Sequence, residues 1–340
     1  MPCPVGPNRV NHNKPLHKEL EMSQTATDEY PVELKPVDIT PYRTGNIGVE
    51  YVTTFDSGEP GPHVAVTAVV HGNELCGAIT LDYLFQNDVR PLIGKLTLAF
   101  ANHQAYHNFD PADPMSSRFV DEDFNRTWGL DVLDGSRDTV ETRRARELRP
   151  VIDSVDYLLD LHSMQHKTPA LMICGPHAKG QQFAKDLGTP EFIVSDEGHA
   201  AGKRMRDYAE FGNPDSPKNS LLLEAGQHWE ENSAFVAVDT TLRFLKLLGV
   251  ADLDFGQEDH LELPDEQKLI EVSGPVTIKT DTFRFAEDYT GFEIIEDAGT
   301  ILGWDGDEEV LTPYDDCVLI MPSKRLHKGQ SAVRLGRLIG

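Results

Sequence analysis

The stretch His63–Gln86, HVAVTAVVHGNELCGAITLDYLFQ, decides the reading of the fold. Its first eight residues are almost all apolar and rich in valine, the pattern of a strand buried on both faces. From Glu74 onward the apolar residues fall at helical spacing instead, in ELCGAITLDYLFQ. Between the two lies HGNE, His71 to Glu74. A strand running through a short polar turn into a helix is the building unit of an open α/β sheet. Such sheets carry their active-site groups at the carboxyl ends of the strands. His71 and Glu74, three residues apart on that turn, can reach one metal ion.

The same texture extends from about residue 33 to about residue 253. KLTLAFAN, VDYLLDLHS, ALMICG, EFIVSD and NSLLLEAG read as further strands. TRRARELRPVIDS, GQQFAKDLG, RMRDYAEF and ENSAFVAVDTTLRFLKLLG read as helices, with Pro150 expected to end or kink the first of them. Buried strands alternating with helices predict an α/β fold, a sheet flanked by helices on both faces. After Gly256 the texture changes. QEDHLELPDEQ is a charged, linker-like run, and residues 269–339 read as strands and turns, with an Asp-Gly turn signal at Asp305 and Gly306. The expected organisation is a disordered lead at 1–32, a catalytic domain at 33–254 and a smaller all-β domain at 255–340, a barrel or a sandwich. The lead, MPCPVGPNRVNHNKPLHKEL, has no apolar h-region and does not read as a secretory signal; Met22 is a second candidate start.

Composition narrows the partners. The 340 residues include 56 Asp and Glu against 31 Lys and Arg, a formal net charge of -25. That field repels nucleic acid and anionic membrane surfaces, so both are set aside. No apolar run reaches membrane-spanning length. The four cysteines, Cys3, Cys76, Cys174 and Cys317, form no CxxC pair, which suits a reduced, cytoplasmic setting. Self-association as a homo-oligomer is left open.

Three further segments carry candidate chemistry. His162 ends the apolar run VDYLLDLHS, two residues after Asp160. With His71 and Glu74 it makes two imidazoles and one carboxylate, the three-ligand set of a catalytic zinc site with an open fourth position. Either motif alone is common by chance; the weight comes from both lying at strand ends. Glu224 ends NSLLLE, and a carboxylate at the end of a buried strand is costly unless paired or functional. Beside a metal-activated water it is the best-placed general base. The long polar stretch from Asn102 to Trp128 contains Arg118, Asn125 and Arg126, and a run this long in a compact domain is functional or disordered. His103, His107, His166, His177, His199 and His228 read as surface or supporting residues, with His166 and His228 close enough in sequence to the motifs to line a pocket. Cys76 reads as a small buried residue rather than a nucleophile.

The order HGNE, RFVDEDFNR, DLHS, LLEAG resembles the succinylglutamate desuccinylase/aspartoacylase family, a branch of the zinc carboxypeptidase-like fold. The resemblance covers most of the chain from about Glu33, and implies a mixed sheet with a smaller C-terminal β domain. It implies one Zn2+ held by His71, Glu74 and His162, with Glu224 as catalytic base and Arg118 polarising the scissile carbonyl. Asn125 and Arg126 would bind a substrate carboxylate, and Asp160 could orient a ligand histidine. The implied activity is a zinc-dependent amidohydrolase acting on a small-molecule N-acyl substrate. A carboxypeptidase on short peptides and a non-catalytic metal-binding relative are the alternatives. One departure concerns the segment EFGNPDSPKNSLLLE, where the resemblance leads one to expect an arginine that grips a second carboxylate. It offers Lys218 and no arginine, while Arg204 and Arg206 lie further back.

Overall fold

The strands are laid down by the apolar runs. In the computed structural model, which describes residues 30–199, 201–252 and 261–339, the main chain forms β1 (Val52–Asp56), β2 (His63–Ala68), α1 (Leu75–Gln86), β3 (Lys95–Phe100), α2 (His103–His107), α3 (Leu130–Leu133), α4 (Val140–Ser154), β4 (Tyr157–Met164), β5 (Leu171–Ile173), α5 (Ala178–Leu187), β6 (Phe192–Ser195), β7 (Asn219–Gln227) and α6 (Glu231–Leu247). The expected lead up to residue 29, Met22 within it, and the start of the charged run lie outside the described residues. The C-terminal segment adds β8 (Lys268–Thr277), β9 (Phe283–Phe285), β10 (Ile294–Ile295), β11 (Ile301–Asp305), β12 (Glu308–Leu311), β13 (Cys317–Ile320) and β14 (Ser331–Leu338).

One sheet of eleven strands runs in the order β1-β3-β2-β4-β7-β5-β6-β8-β14-β13-β10. Its centre is parallel: β2 pairs with β3 and β4, and β4 with β7. Antiparallel β1 and β5 make it mixed. Period-two alternation sends successive side chains to opposite faces. Ala65 and Leu158 point into a core with Leu148 and Ile152 of α4, together with Phe124, Trp128, Met205 and Phe211. Ala68 and Leu161 face the other way and press against Gly77 of α1, which packs beside α6.

The C-terminal strands do not stand apart from this sheet. β8 pairs in parallel with β6, and β14, β13 and β10 follow it outward. A second sheet, β12-β11-β9, is layered over them: Leu302 and Phe285 meet Cys317, Leu319, Val333 and Leu335 in one apolar cluster. The result is a local sandwich built on the end of the main sheet.

Two local expectations change. α4 runs on through Pro150 to Ser154. The turn beyond the proline contains Val151 and Ile152, both buried in the core, and that burial offsets the missing N–H. RMRDYAEF is two 3-10 turns, Met205–Asp207 and Ala209–Gly212, rather than a helix. Ala209, which opens the second turn, adopts φ +46, and Arg204, Arg206 and Asp207 are buried in ion pairs that a solvent-facing helix would not allow.

Leu148 is fully buried between α4 and the sheet. Leu148→Ala is expected to lower stability by about 2–5 kcal/mol, read as a reduced urea midpoint at unchanged m-value.

Candidate metal centre and active site

Three strands, β2, β4 and β7, bring their carboxyl-terminal parts to one point. β2 ends at Ala68, and Val69 then takes φ +53, a costly conformation for a β-branched residue that turns the chain into HGNE. β4 carries His162, and parallel pairing sets it directly beside Glu224 of β7. Gly72 is held against α2 and the loop that follows it. A Cβ there would lie 2.3–2.5 Å from backbone atoms of Ala105, Ser117 and Tyr106, and its N–H donates to the Arg118 carbonyl at 3.1 Å. Only glycine allows that approach.

His71, Glu74 and His162 are buried, and one ligand atom from each lies within 4.8 Å of the others. Nδ1 of His71 is 2.7 Å from Glu74 Oε1, and Nδ1 of His162 is 2.9 Å from Glu74 Oε2. The outer nitrogens go to carboxylates: His71 Nε2 to Asp123 Oδ1 at 3.0 Å, and His162 Nε2 to Asp160 Oδ2 at 2.9 Å. Asp160 and His162, two apart on β4, share a face, and Thr67 Oγ1 donates to the other Asp160 oxygen at 2.6 Å. Each imidazole is thus fixed by a carboxylate behind it and turns its Nδ1 inward, the arrangement that orients histidine ligands around a metal.

The donor set fits a divalent cation. Glu74 Oε2 is fully covered, and despite its nearness to His162 it has no aligned hydrogen-bond donor. Burial alone would raise Glu74, but the imidazoles of His71 and His162 outweigh it and hold the carboxyl well below its usual range. Burial would likewise neutralise His162, but Asp160 and Glu74 keep it well above its ordinary value. The centre therefore favours positive charge, and the nitrogen and oxygen donors suit zinc.

Glu224 is partly buried as a residue, yet its Oε2 is covered and unpartnered. Burial, aided by Glu74, pushes it up to about 8 against the pull of His162 and Arg118. Arg118 reaches across the centre, with Nη2 3.0 Å from His71 Nε2 and Nη1 3.6 Å from Glu74 Oε1. Asn125 is buried: Oδ1 accepts from Met205 N at 2.9 Å, and Nδ2 lies 3.4 Å from His162 Nε2. Among the described residues, the one acidic partner within ion-pair distance of Arg126 is Asp123, at 4.0 Å. Burial lowers it from its ordinary value against the pull of Asp123, and the guanidinium groups of Arg118, Arg204 and Arg334 add to the lowering.

A model of the succinylglutamate desuccinylase/aspartoacylase catalytic domain matches residues 60–248. The chain belongs to this family. The rat N-acyl-aromatic-L-amino acid amidohydrolase (carboxylate-forming) is 32% identical over 126 residues, a match that spans 34% of this chain and only 38% of that enzyme. Succinylglutamate desuccinylase of Idiomarina loihiensis is 23% identical over 320 residues, 83% of this chain and 87% of its own length. Among solved structures, a succinylglutamate desuccinylase/aspartoacylase from Rhodobacter sphaeroides matches with a TM-score of 0.61 at 18% identity, over 90% of this chain and 93% of that one. Succinylglutamate desuccinylase from Vibrio cholerae matches at 0.63 and 16%, over 86% and 87%. The fold is the family's: a mixed α/β sheet with helices and a smaller C-terminal β region.

Other residues singled out in the sequence lie away from the family's motif residues or beside them. Lys218 Nζ donates to the carbonyls of Asp153 and Val155 near the end of α4. Arg204 and Arg206 are spent on Asp196 and Asp207. His103 stacks on Tyr51, and His107 bonds its hydroxyl. His177 meets the Gly212 carbonyl, and His199 Nδ1 accepts from Ala201 N. Lys324 N donates to His166 Nε2. Cys76 is buried, and burial pushes its thiol up to about 12. Asp123, which backs His71, was not distinguished from Asp121 and Glu122 in the acidic run DED; nothing local in the sequence marks which carboxylate turns inward.

His228 is fully buried with Nδ1 2.8 Å from Ser163 Oγ, and burial drives it down to about 3. An unfolded chain binds a proton there below about pH 6.5 that the folded one refuses until about pH 3. This residue therefore withdraws stability as pH falls through that window. In metal-free protein, His228→Gln is expected to lose less of its urea midpoint between pH 7 and pH 5 than the parent chain does. Equal losses would show that the ring is not held neutral.

Proposed function

We propose that this chain is a zinc-dependent amidohydrolase that removes an N-acyl group from an amino acid or a similar small amine. The observation that carries the reading is the meeting of His71, Glu74 and His162 around one point, with the unpartnered Glu224 oxygen on the neighbouring strand. His71 and His162 through Nδ1, and Glu74 through its carboxylate, would hold a single zinc ion. When bound, zinc supplies Lewis acidity, lowering the pKa of a water towards about 7 and polarising the amide carbonyl.

The chain's own groups do the rest. Glu224, whose carboxyl is raised by burial and whose ionised form a bound cation would favour, can then take a proton from the attacking water and return it to the leaving amine. Arg118 presents a guanidinium beside the centre, where it would stabilise negative charge developing on the carbonyl oxygen. Arg126, partly exposed and close to other guanidinium groups, suits a substrate carboxylate, which it can hold through two parallel hydrogen bonds. Asn125 would brace that subsite from beside His162. The relatives' names point the same way: one is an amidohydrolase of N-acyl aromatic amino acids, another a desuccinylase of succinylglutamate. A net charge of -25 outside and guanidinium groups within make a site that selects an anion by local contacts rather than by long-range attraction.

The test is metal exchange combined with one substitution, using a panel of N-acetyl and N-succinyl amino acids. Chelation is expected to abolish hydrolysis and zinc to restore it. Glu224→Gln should keep its zinc and lose roughly 100- to 10,000-fold in kcat. Full turnover by zinc-free protein, or by Glu224→Gln, would overturn the reading.

A further inference from the structure

Glu141 is the second residue of α4 and is completely buried. A glutamate in the first turn of a helix ordinarily faces water and complements the helix dipole. Here the helix is capped by others: Thr139 and Thr142 form a reciprocal capping box. Every hydrogen bond of the Glu141 carboxylate goes elsewhere. Oε1 accepts from Val120 N at 2.7 Å and from Asn102 Nδ2 at 3.1 Å. Oε2 accepts from Asp121 N at 3.0 Å and Glu122 N at 3.2 Å. Three consecutive backbone N–H groups thus converge on one carboxylate, as they do on bound anions in backbone nests. Among the described residues no Lys, Arg or His pairs with it.

The loop answers from its side. Asp121 Oδ2 accepts from Val140 N at 2.7 Å, and Glu122 Oε1 accepts from Thr139 Oγ1 at 2.8 Å. Residues 120–122 are therefore locked to the start of α4. α4 is in turn locked to the sheet: Arg144 donates to the carbonyls of Phe100 and Ala101, and Asn102 follows directly after them. The clamped residues sit between the functional ones. Arg118, two residues before, reaches His71 and Glu74. Asp123, the next residue after, backs His71 and holds the turn at Asn125. A displacement of 120–122 would move the guanidinium and the carboxylate together.

We propose that Glu141 is a positioning residue for the reaction: a buried carboxylate that sets the loop carrying Arg118, Asp123, Asn125 and Arg126 against the metal centre. This rests on the amidohydrolase reading above. In Glu141→Gln an amide nitrogen replaces one carboxylate oxygen, so a donor confronts the donors of the loop. At saturating zinc, kcat/KM for the best substrate of the N-acetyl and N-succinyl panel is expected to fall roughly 10- to 100-fold, chiefly in kcat, with zinc still bound. Arg118→Ala should cost less in the Glu141→Gln background than in the parent chain, because the guanidinium is already misplaced. Hydrogen exchange at residues 120–126 should quicken in the variant while β4 and β7 stay protected. Asp121→Ala removes the exposed side of the clamp without touching the core, and should show the same pattern with a smaller, roughly three- to tenfold, loss. Additive costs with Arg118→Ala, or unchanged loop exchange in both variants, would overturn the proposal. Should the parent chain hydrolyse none of the panel, the amidohydrolase reading falls by itself. Loop exchange in the zinc-loaded protein then decides the clamp: quickened exchange supports it and unchanged exchange overturns it.

Discussion

A carboxylate shut away from water has to be compensated, and the compensation of Glu74 organises everything around it. Its two oxygens lie against the inward nitrogens of His71 and His162. Those rings keep their orientation only because Asp123 and Asp160 stand behind them. Asp160 belongs to a strand in the middle of the sheet and is fixed by Thr67 on the next one. Asp123 belongs to a loop, and a loop has no register of its own. Its precision is borrowed from α4 through Glu141, and from α4 to the core through Leu148, Ile152 and Arg144. One imidazole is thus referenced to hydrogen-bonded strands and the other to a helix terminus.

The two halves of the site differ accordingly. His162 and Glu224 occupy matched positions on adjacent parallel strands, so their separation is set by backbone pairing and tolerates little variation. Arg118 and Arg126 ride on the loop, which is held by separate contacts with Gly72 and Glu141.

Most of the scaffold could be read from periodicity. The valine-rich run before HGNE, the apolar VDYLLDLHS and NSLLLEAG, and the helical spacing of α1, α5 and α6 each report burial directly, because strand and helix periods differ. The three residues that meet at the centre were also legible, since each sits at or just beyond a strand end. What was not legible is pairing across the chain. RMRDYAEF has a helical composition, but its arginines are committed to its own Asp207 and to Asp196 and the Cys174 carbonyl, and the last two lie outside the segment. Glu141 lies one residue before the run TRRARELRPVIDS and carries no local mark of burial, and Asp123 resembles either of its acidic neighbours. Buried carboxylates are identified by what faces them, and that is a property of the fold. The same limit applied to the C-terminal strands, whose alternation was visible but whose pairing with β6 was not.

That last pairing bears on how the chain can be cut and how it emerges from synthesis. β6 is an interior strand only because β8, some seventy residues later, lies along it. A chain stopped after α6 would retain every residue of the proposed metal centre and its supporting carboxylates, yet would present the backbone of β6 as an open edge. Unpaired edges of buried, apolar strands recruit other chains. The last quarter of the sequence therefore acts as a closure for the sheet, and a minimal version of this protein has to supply a substitute for β8 or risk assembling with itself.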